Sequence, residues 1–115
     1  MIKITLKEKK SGELRSCRVE GHAGYANKGE DVVCAAVSIL VRVAVLQLQE
    51  WKKSDESLEV LLDCQKAGSV DFCVTKSSKR SHEALVHLFS FLKLGFESIS
   101  CEYQGYVQLE VKLEV

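Results

Sequence analysis

Between Gly21 and Ser38 the chain reads Gly-His-Ala-Gly-Tyr-Ala-Asn-Lys-Gly-Glu-Asp-Val-Val-Cys-Ala-Ala-Val-Ser, which gathers a histidine, an aspartate and a cysteine in one short segment. An apolar run suited to a helix follows Asp31, so Cys34 falls in a first helical turn. There, free backbone N–H groups and the helix dipole stabilise a thiolate. His22 precedes Cys34 by twelve residues, across a stretch whose glycines at 24 and 29 let it fold back. A thiol at a helix N-terminus with an imidazole in reach is the minimum machinery of cysteine nucleophilic catalysis. Each residue also has a plainer reading. A cysteine opening an apolar helix is commonly a small core residue, and a histidine between a strand and a loop is commonly a turn residue. Asp31 can serve as an N-cap, its carboxylate accepting from the N–H of Val33 or Cys34. Gly24 and Gly29 need serve only to permit positive φ in a tight loop. Their co-occurrence favours the chemical reading.

The segment closely resembles the signature of the bacterial ribosomal-processing cysteine protease family, Prp. The resemblance is carried by Gly21-His22-Ala23, by Gly29 in the loop, and by Asp31-Val32-Val33-Cys34-Ala35-Ala36-Val37-Ser38. It implies that Cys34 is the nucleophile and His22 its proton-transfer partner. It also implies that the substrate is the precursor of large-subunit ribosomal protein twenty-seven, losing a short N-terminal extension, and that the enzyme is a homodimer. Asp31 stands either as an orienter of His22 or as the helix cap. Gly21, Ala23, Gly29 and Ser38 are the substrate-binding candidates, and Tyr25, Asn27 and Lys28 belong to a loop able to close over a peptide. N–H groups of the first helical turn, that of Cys34 included, are candidates for stabilising an oxyanion. Two other functions use the same residues: a thiol redox protein, which would want a resolving cysteine nearby, and a non-catalytic assembly factor with an inert Cys34.

Composition narrows the classes. The 115 residues suit one domain with one core. Lys plus Arg and Asp plus Glu are 16 each, so no net field draws the chain to nucleic acid or to an anionic membrane. The start reads straight into a strand, without a signal peptide, and a cytoplasmic site follows as the expectation. Five cysteines, an odd number without a Cys-x-x-Cys pair, predict free buried thiols, Cys64 and Cys73 among them, and no disulfide framework. His82 and His87 are five apart and do not share a helix face, so no metal site is read, and no cofactor is expected. The apolar run from Val32 to Leu46 is about fifteen residues and is read as a buried helix, too short for a span.

The elements that must position these residues are legible from periodicity. Ile2, Ile4 and Leu6 alternate, and Ser11-Gly12 turns the chain into a second strand over Leu14 to Glu20, which delivers His22 at its end. A helix runs from Asp31 to about Lys52, apolar nearly all round and so in need of a partner surface beyond the core. A hairpin follows, with Leu58, Val60 and Leu62 alternating in one strand, Val70, Phe72 and Val74 in the other, and a turn over 65–68. The second helix begins near Ser78 to Ser81, with Leu85, Leu88, Phe89 and Leu92 as its stripe. Gly95 is expected to end it as an αL residue, with Phe96 folding back. Val107, Leu109, Val111, Leu113 and Val115 predict a last strand. The order ββαββαβ gives an α+β domain, two helices on a mostly antiparallel sheet.

Overall fold

The computed structural model describes residues 1–27, 31–64 and 69–115. Its elements are β1 (Ile2–Glu8), β2 (Leu14–Glu20), α1 (Val32–Lys52), β3 (Glu59–Asp63), β4 (Ser69–Lys76), α2 (His82–Glu102) and β5 (Val107–Leu113). The turn expected over 65–68 lies outside the described residues.

The strands form one sheet in the order β3-β4-β2-β1-β5. Three of its pairings are antiparallel, and β5 runs parallel to β1 at the edge, so the sheet is mixed but mostly antiparallel, as the patterning predicts. Register turns the alternation of each strand into rows across the sheet. Leu62, Phe72, Cys17, Leu6 and Val111 lie side by side on the helix-covered face, and Val70, Val19, Ile4 and Leu109 form the next row. Lys3, Thr5, Lys7 and Arg18 project to the opposite, polar face, because side chains alternate along a strand.

Both helices pack on the apolar face. Val33, Val37, Val41, Ala44 and Leu48 of α1 recur at helical spacing and are buried, as are Leu85, Leu88, Phe89, Leu92 and Phe96 of α2. With 21 residues and a mean hydropathy of 2.0 over its most apolar window, α1 is longer than the apolar run alone implies, and long enough to cross a bilayer. In this fold its Val33–Leu48 face is instead part of the core. Its other side is not covered: Ile39, Val43 and Leu46 are exposed, as are Phe91 and Leu94 of α2, and Val43 and Phe91 line one apolar groove between the helices.

Three expectations are corrected. Gly95 does not end α2, which continues through it to Glu102. Its lack of a side chain serves close packing instead, since a Cβ there would lie 3.0 Å from Cδ1 of Leu40 on α1. Phe96 therefore does not fold back; four residues after Leu92, it extends the buried stripe. The last strand stops at Leu113, and Val115 is exposed, because β1 offers no partner beyond Glu8. Finally, although all five cysteines are free, Cys64 is exposed rather than buried, as is Cys101.

Candidate active site

One end of the sheet assembles the site. Register sets Lys3 of β1 and Ser69 of β4 opposite Glu20, the last residue of β2, and Ile2 beside Val107, the first of β5. The chain leaves β2 here and must turn at once toward α1. Gly21 makes that turn with φ +90°, and a Cβ on it would stand 2.6 Å from the carbonyl oxygen of Met1, so only glycine fits. His22 follows with its side chain exposed. Ala23 is buried, and its N–H donates to the Sγ of Cys34 at 3.4 Å. The residue next to His22 is thereby bound to the sulfur itself. Among the described residues, the His22 side chain makes no hydrogen bond or ion pair.

Cys34 sits, half-buried, in the first turn of α1. Asp31 is the N-cap of that helix: its Oδ1 accepts from the N–H of Val33 at 3.0 Å and of Cys34 at 3.1 Å, while Oδ2 accepts from the N–H of Tyr25 at 3.1 Å. One carboxylate thus caps the helix and ties down the loop. Partial burial opposes its ionisation, but hydrogen bonds from the N–H groups of Cys34, Tyr25 and Ala26 and from the Cys34 side chain outweigh that, holding its carboxyl below the usual carboxylate range. The described partners of Asp31 are backbone groups and Cys34, which is the geometry of a cap. The same bonds engage the N–H groups of Val33 and Cys34, so these are not free donors for an oxyanion in this arrangement.

Ser38, one turn after Cys34, opens onto an apolar groove of about 400 Å³ between α1 and the sheet, lined by Val37, Val41 and Val45 and by Val19, Val70 and Leu62. Its sheet wall follows from the cross-strand rows and could be anticipated only with the register in hand. A larger cavity of about 640 Å³ opens at the other end of the sheet, around Leu14, Arg15, Lys52 and Glu59, and no cysteine or histidine lines it. Of the sequence-derived candidates, the fold brings Gly21, His22, Ala23, Asp31 and Cys34 to one place with Ser38 a turn away, while Gly29 and Lys28 lie outside the described residues. A contact not anticipated from the sequence is the aromatic cluster of Tyr25 with Tyr103 and Tyr106, whose ring centroids lie 5.5 and 5.1 Å from its own.

A sulfur at the first turn of a helix, bound by the N–H that follows a histidine and one turn from an apolar groove, is an arrangement suited to a thiol hydrolase. The family described as "Cysteine protease Prp" matches residues 1–108, and the chain belongs to that family: it is a cysteine protease. Among solved structures, the essential ribosomal processing protease Prp from S. aureus, in complex with a covalently linked product peptide, superposes with a TM-score of 0.78 at 18% identity, covering 97% of this chain and 100% of that one. The same protease with a substrate peptide gives a TM-score of 0.73, also at 18% identity and with the same coverages. SMU.848 from Streptococcus mutans gives 0.77 at 27% identity, covering 99% and 96%. Among curated proteins no match to the chain is found.

Proposed function

We propose that this protease removes the N-terminal extension of large-subunit ribosomal protein twenty-seven, with Cys34 as nucleophile and His22 as general base and acid. The observation that carries the reading is the Ala23 N–H on the Cys34 sulfur, which fixes the histidine segment against the helix terminus. His22 takes the thiol proton, and the sulfur attacks the scissile carbonyl carbon, forming the S–C bond while the C=O π pair moves to oxygen. Collapse of that oxyanion expels the amine, which leaves with the proton from His22. Water then attacks the thioester, giving one proton to His22, and the acid and the thiol are released. The N–H of Ala23, aimed at the reacting sulfur, is the described backbone donor best suited to follow the charge onto the oxyanion. The groove past Ser38 receives apolar side chains of the substrate.

The substrate class is supported by family membership and by the relative described as a ribosomal processing protease with bound peptides. Formal neutrality fits an enzyme that acts on a ribosomal protein rather than on RNA, and free thiols fit a cytoplasmic site. The enzyme works as a homodimer, burying the exposed apolar residues around Val43 of α1 and Phe91 of α2 against its copy. The test is incubation with the host's precursor and mass spectrometry of the products. One cut near the N-terminus, abolished in Cys34→Ala and reduced about a thousandfold in His22→Ala, is the expected result. A Cys34→Ala variant that cuts at the wild-type rate overturns the reading. Sedimentation as a monomer at micromolar concentration would overturn the dimer alone.

A further inference from the structure

The segment carrying His22 is attached to the fold at three described points. Two tie its main chain to α1: the N–H of Ala23 on Cys34 Sγ and the N–H of Tyr25 on Asp31 Oδ2. The third ties it to the other half of the molecule. The Tyr25 ring meets Tyr103 and Tyr106 edge to face, with interplanar angles of 81° and 79°, the preferred geometry for aromatic pairs. Gly24, between His22 and Tyr25, has φ +70°, and a Cβ there would meet nothing within 4 Å, so the loop gains no packing at that point. The tyrosine pair, by contrast, stands on firm backbone. Tyr103 caps the end of α2 with its N–H on Ile99 O, and Tyr106 closes a tight turn with its N–H on Tyr103 O at 3.1 Å, Gly105 taking φ +87° within it. The carbonyl of Tyr106 then accepts the N–H of Ile2 at 2.9 Å, binding the turn to the start of β1.

We propose that Tyr103 and Tyr106 are positioning residues for the histidine: they grip Tyr25 and so hold His22 in register with Cys34. This rests on the Cys34–His22 reading above. Among the described residues, none of the three tyrosine hydroxyls makes a hydrogen bond, so the grip is one of ring faces and edges. Phenylalanine should replace tyrosine at each position, and leucine should not.

The experiment uses the full chain and two readouts, steady-state cleavage of the precursor and the rate of Cys34 alkylation by iodoacetamide at neutral pH, which needs no substrate. Tyr25→Leu, and separately the double variant Tyr103→Leu/Tyr106→Leu, should each lower kcat and the alkylation rate about tenfold while KM moves less than about threefold, as displacement of a reacting group predicts. Tyr25→Phe should stay within about twofold of wild type on both, and in a His22→Ala background Tyr25→Leu should cost nothing further, because the effect passes through His22. If the double variant melts below the assay temperature, Tyr25→Leu decides, since Tyr25 is partly exposed and its loss leaves no core cavity. Undiminished kcat and alkylation in Tyr25→Leu, failure of the phenylalanine variant, or an equal loss without His22 each overturns the proposal. A wild-type enzyme that cuts no precursor defeats the functional reading while the alkylation arm still decides the grip, and alkylation that ignores His22→Ala defeats the Cys–His pairing on which both depend.

Discussion

The N–H of Ala23 rests 3.4 Å from the Sγ of Cys34, so the exit of β2 and the entry of α1 are joined through the sulfur. A hydrogen bond to sulfur is weak and tolerant in length. What gives this one its value is where its donor sits, one residue from His22. The bond ties the main chain of the histidine segment to the sulfur, which makes the local φ values of the loop part of the site.

Gly21→Ala should therefore be the most damaging small substitution in the loop. The left-handed conformation alone costs about 1–2 kcal/mol for an alanine, and the added Cβ meets the Met1 carbonyl as well. Gly24→Ala bears only the conformational cost, because its Cβ enters open space. Urea melts should rank the two in that order, and cleavage should fall further in Gly21→Ala. Equal midpoints would contradict the ranking.

Asp31→Asn separates the work of the two carboxylate oxygens. The amide oxygen can still cap Val33 and Cys34, but an NH2 group at the Oδ2 position cannot accept from Tyr25. The melting temperature should change little while kcat falls, and Asp31→Ala should lower both. A wild-type kcat in Asp31→Asn would leave Asp31 a helix cap and nothing more.

Asp55 should dominate acid sensitivity. Its carboxylate accepts from the Ser57 N–H at 3.1 Å and from the hydroxyls of Ser57, Ser78 and Ser81 at 2.6, 2.8 and 2.6 Å, locking the end of α1 to the start of α2. These bonds, that of Ser57 foremost, hold its carboxyl far below the usual carboxylate range. Since the folded value is depressed, the stabilisation is complete above the unfolded pKa of about 3.9 and is lost as pH falls from there toward the folded value. Asp55→Ala should lower the melting midpoint at neutral pH by on the order of 10 °C and flatten its decline below pH 4. A variant with the wild-type acid profile would assign that decline to other carboxylates.

Thiol reactivity should divide the five cysteines. Burial, with Asp71 adding to it, pushes the Cys17 thiol up to about 12, so it should resist iodoacetamide until the protein unfolds. Cys64 and Cys101 are exposed and should react at ordinary rates, with Cys34 the fastest near neutral pH. Mass-spectrometric mapping over a time course checks the order, and preferential labelling at another cysteine would count against Cys34 as nucleophile.

The sequence made most of this site legible because its parts lie close together in the chain: Gly21 to Cys34 is one turn-loop-helix passage, and capping and glycine rules are local. What escaped depends on neighbours far away. Gly95 looks like a stop signal until Leu40 of the other helix is seen against it. The alternation of β5 marks one face but not how far that face is covered, and Leu113 lies beyond the helices, exposed. Tyr103 and Tyr106 flank a glycine turn, a signal of aromatic packing, but nothing in the chain points from them to Tyr25.

The parallel pairing of β1 with β5 has a consequence for how the enzyme comes into being. A chain emerging in order displays β1 before the other elements of this domain and its β5 neighbour after them, so the sheet cannot close until every element of the domain is available. The tyrosine turn that receives the Ile2 N–H arrives at the same late moment. Cys34 and His22 precede most of the elements that frame them, so a chain that stops short of β5 would carry the proposed catalytic pair without the sheet edge and tyrosine turn that hold its surroundings in place.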